Sequence, residues 1–179
     1  MPTVGRDERA WVRGAQAGSV PDLEALFRDH WPRAHRAAYL VVQDAAAAED
    51  IAQEAFLAAV RALDRFDRRR PFGPWLHRIV LNRAIDWARA RALRREVGDD
   101  PLASAKAPQD IPGNPFSEGI AAALATLSPE HRAVIVLRHL LDYTPGEIAR
   151  MLGLPRGTVN SRLRRGLDQL AGRLGEEER

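Results

Sequence analysis

Cysteine is absent from the 179 residues, which excludes disulfides, thiolate nucleophiles and thiolate metal ligands together. Lysine is nearly absent too, with Lys106 alone against 26 arginines. Arginine's planar fork suits bidentate contacts to phosphate and base edges, but a GC-rich genome gives the same total, so the positions carry more information than the count. Aromatic residues make up 6% of the chain, and any core must be built mainly from aliphatic residues and alanine. No stretch reaches the roughly 18 apolar residues of a membrane span. The opening "MPTVGRDERAWVRGAQAG" has no apolar run of signal-peptide type. A soluble, cytoplasmic protein without membrane insertion is expected. Period-two alternation is missing over any useful length, so strands are not expected. His30, His35, His77, His131 and His139 do not form metal-ligand spacings with acids. There is neither a phosphate-cradling glycine loop nor a nucleophile elbow. Neither catalysis, nor a cofactor, nor a bound metal is expected of this chain.

What is present is unevenly distributed. The formal charge of +3 conceals a block at residues 61–95 with eleven arginines against three acids, and a second basic block at 128–174. Residues 96–127 are acidic, and 97–117, "VGDDPLASAKAPQDIPGNPFS", is rich in Pro, Asp, Ala and Gly without apolar periodicity, the composition of a linker. The expected fold class is all-α, with two small helical domains joined by a flexible linker. Residues 1–96 form the first, 97–117 the acidic Pro-rich connection, and 118–179 the second.

Helical periodicity predicts helices near 7–17, 22–42, 47–63 and 74–95 in the first domain. The second has a short helix at 118–126, then a restart at "SPEH", where Ser128 caps and Pro129 fits the first helical position. In "TPGE", Thr144 stands three residues before Glu147, a capping box with proline at N1, and Gly153 ends that helix. After the turn "GLPRG" the last helix runs over 157–174.

Two short helices around a tight glycine turn, the second rich in arginine, follow helix-turn-helix grammar. Between Arg156 and Arg165 lie four arginines and no acid. At 100° per residue, Val159, Leu163, Leu167, Leu170 and Leu174 gather on one face, which docks on Ile148, Leu152 and the "AVIVLRHLL" helix. Thr158, Ser161, Arg162, Arg164 and Arg165 lie away from it, free to enter a major groove, where arginine binds guanine O6 and N7. A solvated basic helix is the plainer alternative, disfavoured by the cap, the glycine turn and the acid-free first half taken together.

The stretch "LSPEHRAVIVLRHLLDYTPGEIARMLGLPRGTVNSRLRRGL" resembles the C-terminal promoter-reading domain of bacterial sigma factors of the extracytoplasmic-function (ECF) subfamily. "AEDIAQEAFLAAVRALDRF" followed by "PWLHRIVLNRAIDWARAR" resembles that family's N-terminal core-binding and promoter-melting domain. The resemblance implies a sigma factor that binds core RNA polymerase through the beta-prime clamp helices and the beta flap. It would direct polymerase to minus-35 and minus-10 elements, help open the DNA, and be held in check by an anti-sigma factor.

Residue by residue, Asp50, Gln53, Glu54 and Leu57 share one face of their helix and, by the resemblance, grip the clamp helices; an ordinary solvated face is the alternative. The basic loop "DRFDRRRPFG" joins that helix to one presenting Arg78, Asn82, Ile85 and Arg89 at four- and three-residue spacing. Melting requires that an unstacked base be held, by aromatic surface, polar groups and positive charge. The resemblance places Phe66 and Asn82 at that base, with Arg68, Arg69, Arg78 and Arg89 on the minus-10 strand; the alternative is that Phe66 caps the core. Trp75 reads as core packing. For the upstream element the set is Arg156, Thr158, Asn160, Ser161, Arg162, Arg164 and Arg165. Asn160 departs from the Lys or Arg common in relatives, and Leu167 follows Gly166 where an Ala-Arg pair is frequent, which bears on the preferred upstream sequence. The rival reading is a helix-turn-helix regulator with an N-terminal sensor domain. Residues 47–95 discriminate, since a sensor needs a ligand pocket or phospho-acceptor pattern in place of an acidic helix followed by a basic one.

Overall fold

The computed structural model describes residues 4–98 and 118–177. Their regular elements are helices: α1 (Val4–Gln16), α2 (Val20–Val42), α3 (Ala45–Ala62), α4 (Phe72–Glu96), α5 (Glu118–Ala125), α6 (Pro129–Ile135), α7 (Pro145–Leu152) and α8 (Arg156–Glu177). A 3₁₀ turn, Leu63–Arg65, follows α3, and a π-helical turn, Val136–Leu140, extends α6. The all-α class is as expected. The linker expected at 97–117 lies outside the described residues apart from Val97 and Gly98.

The helices start where short polar side chains take up free N–H groups. Ser19 accepts from Asp22 N at α2, Asp44 from Ala47 N at α3, and Ser128 from His131 N at α6. At α7 the capping box is complete, with Thr144 Oγ1 accepting from Glu147 N and Glu147 Oε2 accepting from Thr144 N at 2.8 Å. Gly153, at φ 65°, ends α7 in the left-handed conformation that costs a glycine least. Helix α4 has no side-chain cap of its own. Glu8 of α1 supplies one from a distance, its Oε1 accepting from Phe72 N at 3.1 Å and Gly73 N at 3.3 Å.

Helices α1 to α4 pack around Leu26, Leu40, Val41, Leu76, Val80 and Leu81, all essentially inaccessible to solvent. Full burial of one such aliphatic side chain stabilises by roughly 1.5–3 kcal/mol, more than any single cap. Alanines 34, 37, 38, 48, 52, 55, 59 and 84 are likewise buried, and their small size lets the helices approach closely. The second group, α5 to α8, encloses Val134, Leu137, Ile148, Val159 and Leu163.

The two groups share a face. Arg132 of α6 is buried, and its guanidinium donates to the carbonyls of Leu127 (2.8 Å) and Ala125 (3.3 Å) in its own group and to that of Val41 at the end of α2. Burial lowers its pKa to about 10, so it stays charged at neutral pH, its charge met by carbonyl dipoles. His77 of α4 and Tyr143 are hydrogen-bonded at 2.7 Å from Nδ1 to the hydroxyl. Burial, with the nearby His30 and Arg33, pushes His77 down to about 3 and keeps it neutral. Burial also raises the Tyr143 phenol well above its ordinary value.

Candidate nucleic-acid interface

Helix α8 is seated by a stripe that differs from the one drawn on the wheel. Val159 and Leu163 are buried, Leu170 is half-buried, but Leu167 is 43% exposed. Gly166 takes the inward position instead. A Cβ there would stand 2.6 Å from Ile135 Cδ1 and 3.6 Å from His131 Cβ, so the missing side chain is what lets α8 lie close on α6. Leu174 lies among residues whose side chains are not described.

On the opposite side, Arg156, Asn160, Arg164 and Arg165 are exposed, and Thr158, Ser161 and Arg162 are half-buried. The Ser161 hydroxyl donates to the Thr158 carbonyl at 3.0 Å, and its oxygen can still accept a hydrogen bond. Arg162 lies near Glu130, and its charge is one of the influences on that carboxylate. Desolvation disfavours the charged form of Glu130, yet hydrogen bonding to Arg89 and the charges of Arg89 and Arg162 hold its pKa below the usual range.

The downstream candidates are placed by α4 and the loop before it. Arg78 and Asn82 are exposed on one face of α4, with Arg89 further along it. Ile85, expected on that face, is buried at 7% exposure. Arg89 reaches across to Glu130 and also lies 3.9 Å from Asp86. In the loop, Arg68 and Arg69 are exposed, and Asp67 holds Arg69 by its backbone N–H at 3.0 Å and its Nε at 3.1 Å. Phe66 is only 8% exposed. Its ring lies edge-on to Phe72 and tilted against Trp75, whose centroid is 4.7 Å away. Trp75 itself is half-buried in this cluster, in line with its reading as core packing.

Asp50, Gln53, Glu54 and Leu57 all point to solvent on α3, Leu57 with 55% of its surface free. Glu54 pairs with Arg83 of α4 at 3.0 Å, and Gln53 donates to Glu49 at 3.3 Å.

Sequence reasoning missed the part played by α1. Gln16 donates to the carbonyls of Leu63 (2.8 Å) and Phe66 (3.1 Å), while Glu8 holds Phe72 and Gly73. Both ends of the basic loop are thus tied to one helix. Nothing in the periodicity of α1 signals this, because the contacts join residues some fifty to sixty-five positions apart. Arg70 and Arg9 also line the space between α1 and the loop, and neither was among the candidates.

Residues 26–94 match the family of sigma-70 region 2, and residues 117–170 match that of sigma-70 region 4. Over 163 residues, 88% of this chain, it is 34% identical to the ECF RNA polymerase sigma factor SigE of Mycolicibacterium smegmatis, of which it spans 63%. Over 158 residues it is 35% identical to the ECF RNA polymerase sigma factor SigL of Mycobacterium tuberculosis, covering 86% of this chain and 89% of that one. Among solved structures, CnrH in complex with the cytosolic domain of CnrY superposes with a TM-score of 0.71 at 29% identity, covering 95% of this chain and 98% of that one. With the two regions in order on one helical chain, and a relative of this identity matched over nearly its whole length, the protein belongs to the ECF family of RNA polymerase sigma factors.

Proposed function

We propose that this chain binds core RNA polymerase and directs it to promoters by dividing the work among three surfaces. Helix α8 enters the major groove of the minus-35 element. Arg164 and Arg165 reach base edges there, Arg156 and Thr158 hold phosphate, and Asn160, Ser161 and Arg162 read or position at the flank. The face of Arg78, Asn82 and Arg89, with Arg68 and Arg69 of the loop, tracks the minus-10 strand as it opens. The α3 face of Asp50, Gln53, Glu54 and Leu57 docks on the beta-prime clamp helices, and the second domain meets the beta flap.

Phe66 serves this scheme as a support. With its ring packed on Phe72 and Trp75, it fixes the loop that carries the arginines, and it meets a base directly only if the loop shifts. The division of the chain into 1–96 and 118–179 around an acidic connection allows the two DNA surfaces to be placed separately. Catalysis belongs to the polymerase, and this factor works in the cytoplasm where the polymerase is; no described helix is long and apolar enough to cross a membrane. An anti-sigma factor is proposed as the regulator, since a polypeptide bound across the two groups would mask both DNA surfaces; the structural relative CnrH is likewise held by a protein partner, the cytosolic domain of CnrY.

The observation that carries this reading is the two-sidedness of α8. Val159, Leu163 and Gly166 are buried on one side while Arg156, Asn160, Arg164 and Arg165 are exposed. Run-off transcription with core polymerase on genomic fragments, with and without the protein, tests it. Specific start sites that appear only with the protein are expected, and their absence overturns the reading. A sensor-domain regulator would instead bind duplex DNA without needing the polymerase.

A further inference from the structure

Helix α1 lies ahead of the residues that match sigma-70 region 2, which begin at 26. Its inner stripe is polar at both ends. Glu8, Val12 and Gln16 follow one another at four-residue spacing, and only the middle one is a core residue, at 2% exposure. Trp11 and Ala15 pack beside it against the core and seat the helix. The two polar ends turn their hydrogen bonds to opposite ends of the basic loop.

Gln16 donates from Nε2 to the carbonyls of Leu63 and Phe66, just past the end of α3. Glu8 accepts from the N–H groups of Phe72 and Gly73, where α4 starts after Pro71 without a side-chain cap of its own. Between the tethers is an open cleft, lined on one side by Arg9 and Val12 and on the other by Arg68 and Arg70. The loop is thus held at its ends while Arg68, Arg69 and Arg70 stay exposed. At about 1.5 Å of rise per residue the tethers stand about 12 Å apart along a rigid helix, which fixes the separation of the two loop ends.

The tethers are unequal. Gln16 makes bonds between neutral groups. Glu8 is ionised at neutral pH: hydrogen bonding with His30, whose Nε2 stands 3.3 Å from the same oxygen, the charge of that ring and the two N–H donors hold its carboxyl below the usual range against the cost of burial. Bonds to a charged acceptor are roughly twice as strong as neutral ones, and a carboxylate suits a helix N-terminus. The α4 end of the loop is therefore the more firmly held.

A loose loop must be ordered at the moment it takes hold of DNA, and only the fraction of molecules with the loop in place is competent to do so. We infer that Glu8 and Gln16 are positioning residues for promoter opening: α1 is a rigid bar that sets both ends of the basic loop, so that Arg68 and Arg69 are in place before the strands part. Neither residue touches DNA in this role; both act through the loop. The inference rests on the reading of that loop as the part that tracks the opening strand.

The test uses holoenzyme reconstituted with the full chain on one promoter identified by run-off. It separates affinity for the closed complex, read by gel shift in the cold, from the rate of opening, read by the time course of thymine reactivity to permanganate. Glu8→Ala should slow opening about tenfold and Gln16→Ala about threefold, with closed-complex affinity and core-polymerase binding unchanged. Glu8→Gln keeps an oxygen for Phe72 N and Gly73 N and should recover most of the rate. A helix that served only the fold would lower core binding, closed-complex affinity and opening together, in step with the melting temperature. That pattern overturns the proposal, as do parent rates of opening in both alanine variants. If Glu8→Ala does not fold, Gln16→Ala at the other end of the loop decides by the same readouts. Arg68→Ala with Arg69→Ala separates the inference from its premise. If that chain opens the promoter at the parent rate, the reading of the loop fails and the inference falls with it; if it opens slowly while Glu8→Ala and Gln16→Ala do not, the inference fails alone.

Discussion

The two arginine-rich surfaces of this molecule have similar charge but differ in how many of their arginines are held by acids. On α8, Arg156, Arg164 and Arg165 are exposed, and no acid is paired to them among the described residues. On α4 and its loop, Arg69 is held by Asp67, Arg83 by Glu54, Arg89 by Glu130 and Arg91 by Asp44, while exposed Arg68 and Arg78 have no acid paired to them among the described residues. A free guanidinium is ready for a duplex that arrives already formed. A paired one must exchange a carboxylate for a phosphate, which narrows the gain from binding until something displaces the acid. The contrast fits the order of events in initiation, where duplex recognition comes before a strand is held apart.

The strongest way to break the comparison is to remove what keeps the two surfaces in one body. Arg132→Met leaves the carbonyls of Val41, Leu127 and Ala125 without their buried donor, and a loss of about 3 kcal/mol is expected. Urea unfolding would measure it. A loss under about 1 kcal/mol would show that water replaces the guanidinium and that the shared face is held by apolar packing.

Next in size is the effect on DNA. Arg165→Ala should lower affinity for the upstream element by about 1–3 kcal/mol if the side chain reads a base, or reduce the salt slope by about 0.9 if it holds a phosphate. Arg162→Ala should do less, because Arg162 is half-buried beside Glu130. Asn160→Arg should change which sequence is preferred. Asp67→Ala acts in the other direction on the loop, releasing Arg69 and steepening the salt dependence of single-strand binding. Equal salt slopes for the Arg165, Arg162 and parent chains would remove the distinction between the surfaces.

How much of this was readable beforehand differs by region for a physical reason. Caps and turns are local, so Ser128, the Thr144–Glu147 box and Gly153 announce their helices within four residues of sequence. The face of α3 was legible because Asp50, Gln53, Glu54 and Leu57 share it by simple periodicity. Leu167 and Gly166 exchanged places because a hydropathy wheel ranks a leucine inward and has no means of sensing that Ile135 approaches too closely for a side chain. Ile85 was expected on the exposed face and is buried, and the burial of Phe66 favours its core-capping alternative, in both cases because what covers them comes from distant segments. The cleft at α1 had no signal at all, since its walls are some sixty residues apart in sequence.

A smaller effect tests the shared face by pH. His77 is neutral in the folded chain, with its pKa lowered to about 3 by burial, while in the unfolded chain it titrates near 6.5. The unfolded state therefore binds the proton more readily. Stability is full above about pH 6.5 and falls as the pH drops toward 3, by up to about 2 kcal/mol at pH 5. His35, also lowered by burial, adds to this in the same direction. Thermal unfolding from pH 7.5 to 5 should show the decline, and His77→Gln should flatten most of it. A decline of the same size in His77→Gln would place its origin at His35 or elsewhere. Smallest of all, Thr144→Ala removes one half of the capping box and should cost about 1 kcal/mol, with α8 still seated and upstream binding nearly unchanged.

Glu130 is paired with Arg89 and lies within the electrostatic reach of Arg162, so a residue assigned to the downstream element and one assigned to the upstream element meet at a single carboxylate. The two elements they serve are named for positions roughly 25 base pairs apart, which at about 3.4 Å per pair is on the order of 85 Å of duplex. No single side chain bridges that distance. If Arg89 and Arg162 hold the two elements as proposed, the arrangement seen here does not span a promoter, and the contacts of Glu130, Arg132 and Tyr143 that join the two groups would have to open before the length between the two elements is measured.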